Sequence, residues 1–317
     1  MPKFRKVIVR SPASTANLGP GFDVFGMALE HPYDKVTIKL TQSNKVEIEV
    51  HGVSSNTIPC DPFRNTAGVV AGQMLKEFGL NLGVSIKIEK GVPPGVGLGS
   101  SAASAAAVAF GLNELLGLQL DHKDLIRFSA KGEVASAGSE HADNVSAAVC
   151  GDFVIIRSYD PIDVIHLKAP PNLGVCVAIP KIQTLPKKTE KARAVLPVEV
   201  PMKKVIHNVG HAAAMAVGFA LGDVKLIGRS MHDVVVEPAR ASMIPGYQIV
   251  KDAAIKAGAC GATVSGAGPS IIAVVDENDH TSESVMEAMK KGFRKVGVDA
   301  EVFSTKPGKG VSLIWAK

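Results

Sequence analysis

Apolar and polar residues alternate with a period of two through residues 33–40 (YDKVTIKL) and 45–50 (KVEIEV), the mark of strands buried on one face. Ser43-Asn44 reads as the turn between them. The same period returns at 83–89 (GVSIKIE), and shorter apolar runs predict strands at 6–10, 149–157, 173–179, 262–264, 270–275 and 300–304. Helical spacing fits 66–78, 102–116, 124–134, 203–221, 222–234, 247–257 and 282–296. The Ser/Pro/Gly-rich stretch SPASTANLGPGFDVFGMAL, from Ser11 to Leu29, cannot be a plain helix.

In that order, helices and antiparallel strands are segregated rather than alternating one for one, so the expected class is α+β. Residues 158–173, rich in Pro and Asp, read as a junction. The expected division is an N-terminal domain at 1–165 and a C-terminal α+β sandwich at 166–317.

Hydrophobic residues make up 46% of the 317 and charged ones 21%, so the chain is globular rather than disordered. Aromatics are only 5%, which leaves Val, Ile, Leu and Ala to build the core. The net charge of +5 is dispersed, with no basic run, so nucleic acid is not expected as a partner. It biases the surface mildly toward small anionic substrates. Cys60, Cys150, Cys176 and Cys260 form no C-x-x-C pair and read as small buried hydrophobes with free thiols, which suits a reducing cytosol. The N-terminus MPKFRKVIVRSP has too short an apolar run for a signal peptide. The most apolar stretch, 212–221, falls short of the roughly eighteen residues of a membrane helix, so the expectation is a soluble cytoplasmic protein without a membrane partner.

The motif with most chemical content is Pro93-Pro94-Gly95-Val96-Gly97-Leu98-Gly99-Ser100-Ser101-Ala102-Ala103, between a strand and a helix. Glycines let a backbone approach phosphate oxygens and turn successive N–H groups into one concavity. The helix that follows adds free N–H groups and the positive end of its dipole. Ser100 and Ser101 bring hydroxyls for phosphate or a cation. No lysine follows the last glycine, so this is not a Walker A loop, and the glycines at 95, 97 and 99 do not fit G-x-G-x-x-G.

PPGVGLGSSAA resembles the phosphate-binding motif of the GHMP kinases. SPASTANLGPGFDVFGMAL is similar to the first motif of that family, and GATVSGAGPS, from Gly261 to Ser270, to its third. The order of the three agrees, and the branch they most resemble phosphorylates L-homoserine. The resemblance implies a two-domain fold, with an N-terminal half like ribosomal protein S5 domain 2 and a ferredoxin-like C-terminal half. It implies ATP as co-substrate with Mg²⁺, an amino-acid acceptor, a role in threonine formation, and a homodimer as a plausible assembly.

Carried over residue by residue, the resemblance implies that Pro93 to Ala103 hold ATP, with Asn65 lining the adenine pocket. Glu133, in KGEVASAG, and Ser101 are the implied metal ligands. Asp143 and Asn144, in HADNV, are the implied catalytic residues: Asp143 as general base, or Asn144 orienting the hydroxyl without a true base. Asn17, Asp23, His141, Arg193 and Arg240 are the implied acceptor site. Their chemistry is apt, with a carboxylate for an ammonium and guanidinium forks for a carboxylate. Glu140, before His141, departs from the small residue usual in relatives.

KKTEKAR, at 187–193, reads as a solvated or mobile lid rather than a nucleic-acid patch. His207 and His211 have metal-ligand spacing on a helix, but Asn208 stands where a metalloprotease has glutamate. They read as helix-surface or core histidines rather than as zinc ligands. Two other functions remain open at this point. One is a sister kinase of mevalonate or shikimate type. The other is a catalytically silent sensor with the same fold.

Overall fold

A computed structural model describes residues 2–137, 141–183 and 188–317. The chain opens with two long paired strands, β1 (Lys6–Asn17) and β2 (Gly21–Thr41), then β3 (Val46–Gly52) and α1 (Thr66–Glu77). There follow β4 (Gly83–Lys90), α2 (Ser100–Leu116), α3 (His122–Ala137), α4 (Asp143–Cys150), β5 (Phe153–Tyr159) and β6 (Ile162–Leu167). The second half begins with β7 (Leu173–Pro180), α5 (Lys188–Ala194), α6 (Met202–Leu221), α7 (Val224–Arg229), α8 (Val236–Ala241) and α9 (Tyr247–Lys256). It ends with β8 (Gly261–Val264), β9 (Ile271–Asp276), α10 (Ser282–Arg294), β10 (Ala300–Thr305) and β11 (Ser312–Ala316).

The strands form two sheets. Seven run β11-β1-β2-β4-β3, with β5 on β2 and β6 on β5; four run β10-β7-β9-β8. The expected α+β class holds. The turn at Ser43-Asn44 joins β2 to β3, yet β4 lies between them and pairs parallel with β3. The reason is burial. β4 carries Val84, Ile86 and Ile88, all fully covered, and takes the inner place. β3 carries Glu47, Glu49 and His51 and makes a charged edge.

Several expectations are corrected. Residues 158–173 are not all irregular, because Ile162–Leu167 forms β6 and pairs with β5. The last strand, β11, was not expected, and it pairs with β1 in the first sheet, Val7 opposite Ala316. The helix expected at 222–234 ends at Arg229, and α8 starts only at Val236. In the stretch read as a lid, residues from Lys188 form α5, while Lys187 lies outside the described residues, as does Glu140. All four cysteines are free, but only Cys176 is buried; Cys150 and Cys260 are half-buried, and Cys60, on the loop before α1, is exposed.

α1, α2 and α3 cover one face of the first sheet, over Val36, Ile38 and Ile86. α9 and α10 cover the second sheet, over Ala273 and Val275. A third cluster joins the two halves: Phe25, Met27 and Phe153 of the first sheet meet Val175, Phe219 and Ile272. Phe153 stacks on Phe219 with ring centroids 3.8 Å apart, and Phe25 meets Phe153 edge-on at 5.1 Å. Such aromatic pairs add about 0.5–1.5 kcal/mol beyond their buried area. The alanines of α2 are fully buried and let the helix approach the sheet closely. That approach brings the start of α2 to the seam between the halves. Among the described residues, no helix is long and apolar enough to cross a membrane.

Candidate active site

The segment from Gly91 to Gly99 connects β4 to α2 and is held by chain from both ends of the sequence. Ser14 N–H donates to Leu98 O at 3.1 Å, and Ser270 N–H to Val96 O at 3.1 Å. Ser265 Oγ donates to Gly97 O at 2.7 Å, and Gly266 N–H to Ala16 O at 3.1 Å. The three sequence motifs therefore form one hydrogen-bonded unit. Two glycines are obligatory in it. Gly97 has φ +91°, and a Cβ there would lie 2.4 Å from Ser265 O. Gly99 has φ +64°, and a Cβ would lie 2.0 Å from Ser14 Oγ. With nothing larger than hydrogen at those positions, the first turn of α2 opens onto a cleft of about 1000 Å³. Its free N–H groups and dipole favour an anion there.

The start of α2 is anchored by a buried ion pair that sequence reasoning missed. Lys90 donates to Asp34, to Ser100 O at 2.8 Å and to Ser104 Oγ at 3.1 Å. Asp34 also accepts from the N–H groups of Gly91 (3.1 Å) and Val92 (3.0 Å). Burial pushes the Lys90 ammonium down, and the Asp34 charge opposes that shift. A lysine closing an alternating strand reads as a solvated end, so only its partner 56 residues earlier reveals the role.

Glu133, on α3, is buried and accepts from Ser101 Oγ at 3.0 Å. Burial raises its carboxyl to about 7; Asp143 adds to the rise, while the Ser101 hydrogen bond and the Lys90 charge oppose it. Two hard oxygens 3.0 Å apart match the edge of an octahedron with bonds of about 2.1 Å. A carboxyl that resists ionisation alone is stabilised as an anion by a dication beside it. The pair therefore fits Mg²⁺.

Asp143 opens α4 and is buried. Burial first, and the Asp23 charge second, raise it to about 6. Its Oδ1 accepts from Asn144 N–H at 2.6 Å. Ser14 Oγ donates to Asn144 Oδ1 at 2.9 Å, so the Asn144 amide is oriented by β1.

Asn17 and Asp23 flank the β1–β2 turn with φ of +72° and +59°. This left-handed backbone is costly for most L-residues and is tolerated best by Asn and Asp. Two bonds hold it: Asn17 Nδ2 donates to Gly266 O at 3.0 Å, and Asn17 Oδ1 accepts from Asp23 N–H at 3.1 Å. Arg193 Nη2 donates to both oxygens of Asp23, at 2.7 and 2.6 Å. It also donates to His141 Nδ1 at 3.0 Å. A guanidinium only donates, so His141 is a neutral imidazole with its proton on Nε2. Burial and the Arg193 charge hold its pKa low, in agreement. Arg240 is buried and donates to Ala192 O (3.2 Å) and Gly266 O (2.9 Å). Both guanidiniums lie over the Phe22 ring, at 5.2 and 5.1 Å.

The cleft thus gathers Asn17, Asp23, Glu133, His141, Asp143, Asn144, Arg193 and Arg240 with Pro94, Gly95, Gly97, Gly99, Ser100 and Ser101. Pro93, Val96, Leu98, Ala102 and Ala103 do not line it. Leu98, Ala102 and Ala103 are core residues, and Val96 packs against the core. Asn65 lines the cleft, but its amide is engaged: it caps α1 through Ala67 N–H (2.9 Å) and donates to Pro59 O (2.7 Å). Sequence reasoning also missed Lys188 at the start of α5. It donates to Gly268 O, and burial, aided by Arg240, pushes it down to about 7.

Family models for the GHMP kinases N terminal domain and the GHMP kinases C terminal match residues 65–152 and 215–295. A homoserine kinase of Methanococcus vannielii is 43% identical over 307 residues, covering 96% of this chain and 97% of that relative. One of Natronomonas pharaonis is 43% identical over 310 residues, covering 97% and 99%. The crystal structure of a homoserine kinase from Cytophaga hutchinsonii superposes with a TM-score of 0.90 at 37% identity, covering 98% of this chain and 97% of that one. Mevalonate kinase of L. major, solved with R-mevalonate, shares the fold at a TM-score of 0.70 and 15% identity, covering 98% of each chain.

Proposed function

This chain belongs to the GHMP kinases, and on that premise we propose that it transfers the γ-phosphoryl group of ATP to the side-chain hydroxyl of L-homoserine. The observation that carries the acceptor assignment is the pairing of Asp23 with Arg193 beside Arg240 and His141, in the cleft that holds the first turn of α2. An amino-acid zwitterion has the charges that such a pair lacks when separated. Its ammonium meets Asp23 and its carboxylate meets the guanidiniums, so no charge is left alone. Mevalonate has no ammonium to answer Asp23, which is why the sister-kinase reading is weaker.

In the proposed reaction, the N–H groups around Gly95 to Ser101 hold the triphosphate, and the helix dipole favours its charge. Lys188 gains a full proton as phosphate oxygens approach, because an anion reverses the effect of burial. Asn144 orients the acceptor hydroxyl, and Asp143 receives its proton as the new O–P bond forms. Glu133 and Ser101 would hold Mg²⁺, which supplies charge neutralisation on the phosphates when bound. ATP dependence, Mg²⁺, a cytoplasmic location and a step toward threonine belong to the same reading. So does a homodimer, for which α6 offers the exposed Met202, Ile206 and Val209.

A panel of acceptors at fixed ATP and Mg²⁺, followed by ADP release, tests the assignment. L-homoserine should give turnover, while mevalonate and shikimate should give none. Equal turnover without homoserine, or none with it, rejects the reading. A silent sensor would bind nucleotide and release no ADP with any acceptor.

Replacing Arg240 by lysine should raise the homoserine KM about tenfold while changing kcat less. A point charge cannot serve the Ala192 and Gly266 carbonyls and an acceptor carboxylate together. Steady-state kinetics with a melting curve check this, and an unaltered KM removes Arg240 from the acceptor site.

The pH profile carries a signature. Both Glu133, at about 7, and Asp143, at about 6, must be anionic, so kcat/KM should fall as the pH drops from 7 to below 6. A cation competes with the proton on Glu133, so raising Mg²⁺ should move the upper part of that limb to lower pH. Profiles at low and high Mg²⁺ measure the shift; a limb indifferent to Mg²⁺ contradicts the Glu133 assignment.

A further inference from the structure

The histidine pair at helical spacing on α6 acquires a third member in the fold. His232, on the segment between α7 and α8, comes to lie against His207 and His211. One ligand nitrogen from each of the three lies within 4.8 Å of the others. His207 Nε2 stands 2.8 Å from His232 Nδ1. The rings of His207 and His211 stack at 4.0 Å, and His232 meets them at 4.9 and 5.7 Å.

We propose that His207, His211 and His232 form a site for a borderline transition-metal dication of the zinc class, separate from the active site, that fastens α6 to the segment leading into α8. Three imidazoles with no carboxylate select such ions over Mg²⁺ or Ca²⁺, which require oxygen. His211 is oriented for the task. Its Nδ1 lies 3.0 Å from His207 O, which can only accept, so Nδ1 carries the proton and Nε2 keeps its lone pair. Between His207 Nε2 and His232 Nδ1 one nitrogen donates and the other accepts. Metal binding takes both lone pairs, and the donor ring moves its proton through water to its other nitrogen. Nitrogens bound tetrahedrally at about 2.0–2.1 Å lie roughly 3.3 Å apart, so the rings must shift slightly, His207 and His232 opening from 2.8 Å. His232 is exposed and free to do so. Water completes the coordination.

Asp233, the adjacent acid, is not a ligand. It accepts from Asn208 Nδ2 (2.8 Å) and from the N–H groups of Val235 (2.7 Å) and Glu237 (2.8 Å), capping the segment that becomes α8. The ion would thus reinforce a joint already made by Asn208 and Asp233. α8 carries Arg240, so the site braces the acceptor wall without touching it.

Full-length protein stripped with a chelator should bind zinc at one per chain in calorimetric titration with Mg²⁺ present. Cobalt(II) in place of zinc should give the visible absorption of a low-coordinate nitrogen site. His232→Ala and His211→Ala should each weaken zinc binding at least tenfold, while His280→Ala, on the exposed turn before α10, should not. Zinc should raise the melting temperature of the parent chain and not of His232→Ala. Absence of stoichiometric binding overturns the proposal. So does zinc affinity that His232→Ala leaves unchanged, which would mark adventitious surface binding.

Discussion

Glu133→Gln is expected to lower kcat by about a hundredfold or more, with little change in the homoserine KM. The substitution keeps the size and the hydrogen bond to Ser101 but removes the anionic oxygen needed to hold a dication. Charge neutralisation by a bound metal contributes several kcal/mol in phosphoryl transfer, and about 1.4 kcal/mol is a factor of ten. The loss would not be a loss of fold. The Glu133 carboxyl rises from 4.5 to about 7 on burial, so the folded chain holds a proton there that the unfolded chain has released. Stability from that group is complete below about 4.5 and is lost as the pH rises through 7. Glutamine removes the dependence and leaves the chain at least as stable at neutral pH. Coupled ADP release at saturating ATP measures the effect, and a fall of less than about tenfold contradicts the role.

Asp143→Asn should lower kcat by roughly a hundredfold or more, the range of general-base catalysis. A carboxylate raised to about 6 is still ionised at neutral pH and is a stronger base than an ordinary aspartate. Asn144, held by Ser14, supplies the orientation that a base needs. The variant keeps that orientation and removes only the proton acceptor. It should also lose the lower part of the acid limb. A fall of less than about tenfold would mean that Asn144 suffices and that the proton leaves late, without a base.

Much of the fold was legible because each element follows a local rule. α1 shows its apolar stripe, and β4 shows strict alternation. The glycine-rich loop before α2 was legible because left-handed backbone leaves its trace as glycine. What escaped depends on partners distant in sequence. The turn at Ser43-Asn44 gives no hint that β4 will enter between the strands it joins. β11 is short and exposed, and finds its place only against β1. Lys90 and Lys188 read as surface charges until Asp34 and Gly268 appear beside them. Among the candidate residues, those with chemical side chains meet in the cleft. Leu98, Ala102 and Ala103 face the core, because the motif uses their backbone on one side and their packing on the other.

A crystal structure with a non-hydrolysable ATP analogue, Mg²⁺ and L-homoserine tests the central claim most directly. The β- and γ-phosphates should lie against the N–H groups of Gly97 to Ser101, with the acceptor hydroxyl between the terminal phosphate and Asp143 and its ammonium on Asp23. A triphosphate bound elsewhere, with the loop before α2 empty, would contradict the account.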